Sequence, residues 1–331
     1  MIQDRLFSAS HAFDHPVTRW ITIGVGGALV FALLVLSVLS LTGKIQGTAR
    51  KELWKRTLAW AVIAPLMIGP ILLGAAWTIL GVTAISLVCY REFARATGLF
   101  REKLVSLVVV VGILAVAFAA LDHWYGFFVA LFPLTVIVIA AASILPDSPK
   151  GYLQRVALGV LAFMLFGSSL AHISYMANDL DYRPIILTLL LGVQVNDVFA
   201  FVVGKTLGRR KVVPHTSPNK TLGGHLGALV LTTPLVAVIA HHVFRGSDLD
   251  HPFWLILLGL IVSVSGQMGD LMLSSIKRDL GIKDMGETIP GQGGVLDRMN
   301  SVLLAAPAYF HYVGYFTGFG LDQPIRIITG P

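Results

Sequence analysis

Long apolar runs alternate with short polar connections along almost the whole chain. A helix needs about 20 apolar residues to cross the hydrocarbon core of a bilayer, with about 17 as a lower limit. The pattern therefore predicts an all-α fold, a polytopic helical integral membrane protein with about ten transmembrane helices. The ten runs are 20–41, 57–73, 75–90, 105–121, 127–145, 155–176, 185–203, 224–244, 252–272 and 299–317.

Two of these runs need separate interpretation. The pair 57–73 and 75–90 is joined by a very tight turn at Gly74, so it is either two spans or one re-entrant pair. The first run, 20–41, is too long for the apolar part of a signal peptide, and no small-residue cleavage site follows it. We expect this first run to be a retained membrane span.

Composition supports the membrane assignment. Hydrophobic residues make up 55% of the 331 positions and charged residues 13%, and the mean hydropathy is +0.77; a soluble domain usually has about 25% charged residues. The net charge of +7 indicates basic loops beside anionic lipid head groups, and we expect no nucleic-acid partner. The single cysteine, Cys89, excludes an intrachain disulfide and a cysteine-based zinc site.

The connections alternate in charge. Segment 204–223, for example, holds five lysines and arginines and no acidic residue. Because lysine and arginine stay on the cytoplasmic side of short loops, the alternation predicts that the basic connections face the cytoplasm and that both termini lie outside. We expect the protein to lie in a bacterial-type inner or plasma membrane, with its active site facing the cytoplasm. The basic connections are 42–56, 91–104, 204–223 and 275–301.

Unusual polar residues concentrate in the second half of the chain, between residues 194 and 301. We therefore expect any active site in that half. The chain divides into a polar N-terminal segment 1–19, transmembrane helices 20–176, a half with the site at 177–318, and a C-terminal tail 319–331.

Two carboxylates are candidates for a metal site. Asp270 lies near the end of run 252–272 and Asp297 just before run 299–317, so a helical hairpin brings them to a similar depth. Paired hard oxygen ligands are what Mg²⁺ requires, with phosphate oxygens completing its octahedron. The alternative is that each aspartate caps a helix or pairs with Lys277 or Arg298.

Asn196 and Asp197 lie inside run 185–203. An acidic residue at that depth is costly and marks a functional site by default. The alternative is a structural pair with a buried lysine or arginine.

Two polar, glycine-rich segments, 208–228 and 281–294, are predicted to lie on the same membrane face. Glycines let backbone N–H groups approach an anion, and neighbouring lysines and arginines add charge. Together with the deep carboxylates, they predict a polyphosphate site. Its candidate residues are Ser217, Lys220, Thr221, Lys277, Arg278, Lys283, Gly293 and Gly294.

The segment 274–301, SSIKRDLGIKDMGETIPGQGGVLDRMNS, resembles the signature of phosphatidate cytidylyltransferases. The segment 196–221, NDVFAFVVGKTLGRRKVVPHTSPNKT, is similar to that family's upstream motif. The resemblance implies a polytopic helical fold, Mg²⁺ as cofactor and an assembly as a homodimer. It also implies a reaction at the membrane in which CTP and phosphatidic acid give CDP-diacylglycerol and pyrophosphate, in phospholipid biosynthesis.

The resemblance also implies roles for single residues. Asp270 and Asp297 would be the metal carboxylates. The residues implied to bind phosphate groups are Lys220, Lys277, Arg278 and Arg298. Those implied to shape the polar cavity are Asn196, Asp197 and Asp284.

Three positions depart from the family pattern. Gly223 replaces a glutamate, Gln292 a histidine and Asn300 an aspartate. We expect a divergent but active enzyme, because both metal carboxylates are retained. The alternatives are a cytidylyltransferase for a different lipid phosphate and a catalytically impaired lipid-binding or scaffolding protein. A transporter is a further alternative, although the hydropathy pattern shows no inverted repeat.

Overall fold

Ten long helices form the part of the chain that the computed structural model describes, residues 6–320 and 326–330. A π-helical stretch, Phe163–Ser169, interrupts the sixth of these helices, and no strand is present in the described residues beyond two isolated bridges. The helices are α1 Pro16–Leu41, α2 Gly47–Leu73, α3 Ala75–Thr97, α4 Lys103–Leu121, α5 Tyr125–Ala142, α6 Tyr152–Met176, α7 Tyr182–Thr206, α8 Leu222–Val243, α9 Pro252–Asp279 and α10 Val295–Thr317.

The all-α membrane fold predicted above is confirmed, and each predicted run corresponds to one helix. Eight of the described helices are long and apolar enough to cross a bilayer. The other two, α3 and α10, carry charged residues near one end, such as Glu92 and Asp297. The first helix begins at Pro16 rather than near Trp20, because proline suits the first helical turn and the His15 ring accepts a hydrogen bond from the Val17 amide.

The ambiguous pair consists of two full-length helices rather than a re-entrant turn. Helix α2 has 27 residues and α3 has 23, which at 1.5 Å per residue gives about 40 and 35 Å. They meet at Gly74, whose φ is +148°. A Cβ there would lie 2.4 Å from the Leu6 carbonyl oxygen, so only glycine fits where the N-terminal segment crosses the turn.

The helices differ in how much surface they bury. Two thirds of the most apolar stretch of α6 is buried, against 11% of the corresponding stretches of α1 and α2. Helix α6 thus lies in the protein core with α3, α4 and α10 around it, while α7, α8, α9 and α10 pack on one another as a second group. Helices α1 and α2 lie at the periphery, where the bilayer covers their apolar faces.

Both terminal segments lie at the end of the bundle opposite to the basic connections. Arg183, at the start of α7, donates to the carbonyl oxygen of Ser8 at 2.8 Å. Asp122, which follows α4, accepts hydrogen bonds from the amides of Ile328 and Thr329 and from the Thr329 hydroxyl. The charge alternation predicts this common end, and the assignment of the other end to the cytoplasm stays a prediction.

Acidification is expected to release the C-terminal tail from Asp122. Burial alone would raise the pKa of this carboxyl, but hydrogen bonds from Thr329 and Ile328 outweigh it and hold the pKa below 3.8. A group with a depressed folded pKa stabilises the fold above its ordinary pKa and loses that contribution as the pH falls through the folded value. Hydrogen exchange of residues 326–330 should show protection at neutral pH that is lost below about pH 3.8.

The matched variants are Asp122→Asn and Asp248→Asn. The first should expose the tail already at neutral pH. The second changes an exposed aspartate at the same end of the bundle and should leave the tail protected. Full protection in Asp122→Asn would contradict the assignment.

Candidate active site

Four polar connections meet at one end of the bundle. The Gln292 side chain donates to the Arg56 carbonyl oxygen at 2.9 Å, which joins the 280–294 loop to α2. Arg278 Nε donates to the Thr216 carbonyl oxygen at 3.2 Å and joins the end of α9 to the 207–221 loop. The Thr288 hydroxyl donates to Glu92 at 2.6 Å and joins the same loop to α3. The segments predicted to share one face therefore do so.

Glu92 is the residue that sequence reasoning missed. It is 6% exposed, and its carboxylate accepts hydrogen bonds from the amides of Val295 and Leu296 at 3.0 and 2.8 Å. These are the first two backbone amides of α10. At a helix N-terminus an anion accepts hydrogen bonds from otherwise unpaired N–H groups and interacts favourably with the helix dipole. The signal that could have found Glu92 is a carboxylate directly after an apolar run.

Asp297 is buried at the start of α10, with its side chain 2% exposed. Lys277 donates to one carboxylate oxygen at 2.8 Å, and the amides of Met285 and Gly294 donate to the other at 2.9 and 3.0 Å. This is the capping and pairing alternative that the sequence left open for this residue. In this arrangement both oxygens are occupied by donors from the protein.

Asp270 belongs to a different polar cluster. Lys220 donates to one of its oxygens, and the Asn300 side-chain amide donates to the other at 2.5 Å. Ser301, next to Asn300, donates from its hydroxyl to Asp197 at 3.0 Å. The structure thus brings Asp270 together with Asp197 and Lys220. Asp297 lies one helical turn before Asn300, so the two predicted metal carboxylates are neighbours along the α9–α10 hairpin without sharing a partner.

The Lys220 side chain is partly buried, with 22% of its surface exposed. Burial lowers the pKa of its ammonium, Asp197 opposes that effect, and Lys277 adds to it. Asp197 lies within electrostatic reach of both Lys220 and Arg298. Each of the three aspartates Asp197, Asp270 and Asp297 therefore has at least one cationic side chain nearby.

Asn196 is fully buried and lies behind the cavities instead of lining one. Its side-chain oxygen accepts from the hydroxyls of Thr232 and Ser263 at 3.2 and 2.6 Å. The Ser263 hydroxyl in turn accepts a hydrogen bond from the side-chain amide of Gln267, whose Oε1 lies 2.5 Å from the His225 ring. This network joins α7, α8 and α9. Asn196 was predicted to shape the polar cavity, and in the structure it links these three helices behind it. Polar residues inside the runs 224–244 and 252–272 were the available signal for its partners.

Two polar cavities open at this end. The loop cavity, about 1060 Å³, lies mostly within residues 283–293 and reaches Arg56, Trp60 and Arg298. The helix cavity, about 660 Å³, lies among α7, α8, α9 and the 207–221 loop. Of the predicted residues, the loop cavity is lined by Lys283, Asp284, Gly293 and Arg298, and the helix cavity by Asp197, Ser217, Lys220, Thr221 and Asp270. Asn196, Lys277, Arg278, Gly294 and Asp297 line neither cavity.

Close packing requires glycine at several positions of the two polar segments. A Cβ at Gly294 would lie 2.3 Å from Glu92 Oε2, and one at Gly293 would lie 2.9 Å from Asp297 Oδ2. A Cβ at Gly208 would lie 2.1 Å from the hydroxyl of Thr221, which caps α8 by accepting from the Gly224 amide. In the 281–294 loop, the anions that the backbone approaches are the protein's own carboxylates. Phosphate binding by these loops stays a prediction.

The three departures from the family pattern each have a defined environment. Gln292 donates to the Arg56 carbonyl oxygen. A Cβ at Gly223 would lie 3.2 Å from the Gly208 Cα, which leaves little room for a longer side chain. Asn300 places its amide N–H₂ on Asp270, where an aspartate would place a second carboxylate. The departures therefore change the hydrogen bonding and charge of the site without opening it.

The donor set suits a hard cation around Asp270. The Ser301 hydroxyl links Asp197 with the side-chain oxygen of Asn300, and the Asn300 amide donates to Asp270. Carboxylate and amide oxygens are ligands that Mg²⁺ takes. No group of three or more acidic, histidine or cysteine ligands is assembled in the described part of the chain. A bound Mg²⁺ would therefore need amide, water or phosphate oxygens in addition. At Asp270 the ion would compete with Lys220 and the Asn300 amide, each of which contacts one carboxylate oxygen. At Asp297 it would compete with Lys277 on one oxygen or with two backbone amides on the other.

Fold and site together define a polytopic membrane protein with an acid–lysine cluster and two polar cavities at one end. Residues 54–316 match the model of the cytidylyltransferase family, and the chain belongs to that family. A phosphatidate cytidylyltransferase of Staphylococcus haemolyticus is 33% identical over 76% of this chain and 95% of its own length. One of Bacillus subtilis is 32% identical over 65% and 81%.

Another relative is the uncharacterized protein YnbB of Escherichia coli strain K12. It is 28% identical over 87% of this chain and 97% of its own length. Family membership supports nucleotidyl transfer in lipid biosynthesis with a nucleotide and a lipid as substrates. The chain is thus an integral membrane protein of a nucleotidyltransferase family.

Replacing the buried carboxylate of α3 is expected to loosen the 284–296 region. Glu92→Gln keeps the shape of the side chain but replaces one carboxylate oxygen with an N–H₂ group. That group faces backbone or hydroxyl donors and cannot accept hydrogen bonds from them. Losing hydrogen bonds to a charged acceptor costs about 1.5–3 kcal/mol each. We therefore expect a lower unfolding temperature in detergent and faster hydrogen exchange over residues 284–296.

Glu52→Gln is the matched control. Glu52 pairs with Arg56 on the exposed surface of α2, and such pairs contribute about 0.5 kcal/mol. Equal effects of the two substitutions would show that Glu92 does not anchor the start of α10.

Proposed function

We propose that the protein transfers a cytidylyl group from CTP to the phosphate of phosphatidic acid. The products are CDP-diacylglycerol and pyrophosphate. The observation that carries this proposal is the cluster of Asp197, Lys220 and Asp270 facing a polar cavity at the end of a membrane bundle. The relatives from Staphylococcus haemolyticus and Bacillus subtilis are named phosphatidate cytidylyltransferases, which supports the choice of lipid.

The chemistry needs orientation and charge more than a base. The second pKa of a phosphate monoester is about 6, so the lipid phosphate is already nucleophilic near neutral pH. Its oxygen attacks the α-phosphorus of CTP, a new phosphorus–oxygen bond forms, and the bond to the β-phosphate breaks as pyrophosphate leaves. Residues that hold both anions in line and neutralise the leaving group accelerate such a step.

The side chains have defined tasks in this proposal. Lys220 in the helix cavity, with Lys205 and Lys211 beside it, holds the nucleotide's phosphates. Arg298 and Lys283 in the loop cavity hold the lipid phosphate. Asp197 lines the helix cavity, and its negative charge attracts both Lys220 in that cavity and Arg298 in the loop cavity.

Mg²⁺ is the proposed cofactor. Asp270, with Asp197 and Asn300, would hold it, and it would supply positive charge to the triphosphate. The participation of Asp297 stays a prediction, as does assembly as a homodimer. The site faces the cytoplasm in this proposal, because the basic connections meet at its end of the bundle.

The direct test is pyrophosphate release by the purified protein in detergent. Phosphatidate, CTP and Mg²⁺ should support turnover, and a panel of other lipid phosphates and nucleotides identifies the preferred pair. No release with any pair would contradict the proposal.

Asp270→Asn should lower kcat by at least about 10²-fold, the usual cost of losing one group that stabilises charge in a transition state. Asp248→Asn, at the opposite end, should leave kcat unchanged. Turnover by Asp270→Asn at the rate of the unchanged protein would rule out the role of Asp270.

A second candidate is a lipid-binding protein that has lost catalysis. Asn300 favours this candidate. The family pattern has an aspartate at this position, whereas the Asn300 amide donates a hydrogen bond to Asp270. Gly223→Glu, Gln292→His and Asn300→Asp together should then create activity in an inactive protein. Measurable turnover by the natural sequence would exclude this candidate.

Asn300→Asp also tests the metal without an activity assay. It replaces an N–H donor to Asp270 with a second carboxylate, so the metal-free protein should unfold at a lower temperature. Mg²⁺ should then raise that temperature more in the variant than in the natural protein, because binding to the folded state stabilises it. Equal responses to Mg²⁺ in Asn300→Asp, Asp270→Asn and the natural protein would place the ion elsewhere.

A further inference from the structure

We propose that the lipid substrate straddles α2, with its phosphate in the loop cavity and one acyl chain on each side of that helix. The inference rests on the proposed function, since it takes a lipid phosphate as the substrate. It adds the places where the two chains lie, which depend on two apolar grooves.

The first groove, here called the α3 groove, lies between α2, α3 and α10 and has a volume of about 510 Å³. Leu58, Val62 and Ile85 form part of its apolar wall. Lys55 and Arg298 are its two charged lining residues. An apolar slot with two cations among its lining residues suits a chain attached to an anionic head group.

The second groove, here called the α1 groove, lies between α1, α2 and α7 and has a volume of about 310 Å³. Val25, Ala64 and Leu191 line it, and Trp60 joins them. On α2, Leu58 faces the first groove and Trp60 the second. Two residues apart on a helix corresponds to a rotation of about 200°, so the grooves lie mainly on different faces of α2, and they share Met67 deeper in the bundle.

Both grooves adjoin the loop cavity. Arg298 lines the loop cavity and the α3 groove, and Trp60 lines the loop cavity and the α1 groove. A phosphate in the loop cavity is therefore next to the start of each groove. Glycerol joins two chains to one phosphate, so a diacyl lipid fits this branching where a single-chain lipid would leave one groove without its chain.

Arg298 provides an independent reason for an anion at the junction. Its Nε is buried and has no hydrogen-bond partner in the described structure. A buried donor without an acceptor is costly, and a phosphate oxygen would supply a charge-assisted one. Arg56 and Lys283 line the same cavity and add to its positive charge.

The grooves are accessible from the bilayer, because α1 and α2 bury only 11% of their most apolar stretches. A chain gains little hydrophobic free energy when it moves from lipid into such a groove, since the bilayer is equally apolar. The charged junction, rather than the grooves alone, must therefore distinguish the substrate from surrounding lipid.

Lipid retention measured by native mass spectrometry tests the proposal without nucleotide or metal. The probes are diacyl phosphatidate and 1-acyl lysophosphatidate, and the natural protein should retain the diacyl lipid more tightly. Ala59→Phe fills the α3 groove and Ala28→Phe the α1 groove. Each should weaken retention of the diacyl lipid by about tenfold and affect the single-chain lipid less, because the other groove remains open to it.

Ile137→Phe is the matched control, since Ile137 is exposed on α5 and lines neither groove. If Ala28→Phe does not fold, Val25→Phe fills the same groove. Arg298→Gln should reduce the preference for phosphatidate over uncharged diacylglycerol. Equal retention in the control and both groove variants, or an unchanged preference in Arg298→Gln, would overturn the proposal.

The outcomes separate this inference from the proposed function. Retention that depends on both grooves, without pyrophosphate release from any nucleotide, would support the two chain sites and contradict the enzyme. Turnover of phosphatidate at full rate in both groove variants, with unchanged retention, would support the enzyme and contradict the chain sites.

Discussion

The start of α10 depends on two buried carboxylates. Glu92 from α3 accepts the amides of Val295 and Leu296, and Asp297 accepts those of Met285 and Gly294. Without them, the first N–H groups of a helix would be buried without partners, which membrane-embedded structure does not tolerate. The rest of the site follows, because α10 carries Arg298 to the loop cavity and Asn300 to Asp270, which lines the helix cavity.

The same interaction ties the two halves of the chain together. Glu92 is the only one of these acceptors that comes from the N-terminal helices, and it fixes the loop against which Arg56 and Trp60 lie. The helix cavity is organised differently, by contacts within α7, α8, α9 and α10. Two polar cavities thus form from two separate sets of contacts, and Asp197 is the group whose charge acts on cations from both.

Much of the fold could be predicted because a bilayer imposes a simple pattern. Every apolar run became a helix, but α3 and α9 continue to Thr97 and Asp279, beyond the runs that end at 90 and 272. Helix α3 is followed by Gly98, whose φ of +79° is typical of a helix C-terminus. The hairpin neighbourhood of Asp270 and Asp297 was also predictable from spacing. The partners of Glu92 were not, since they lie about 200 positions away in the chain.

The anchoring of both chain ends has a practical consequence. Ser8 and Thr329 are fixed at the end of the bundle away from the cavities, separated from them by about the 30 Å of a hydrocarbon core. Fusion partners, reporters and immobilising tags joined to the chain beside Ser8 or Thr329 would therefore lie on the face away from the cavities. Surface attachment through such a tag would leave the face with the two cavities open to solution, a geometry that suits biosensor or reconstituted-vesicle work.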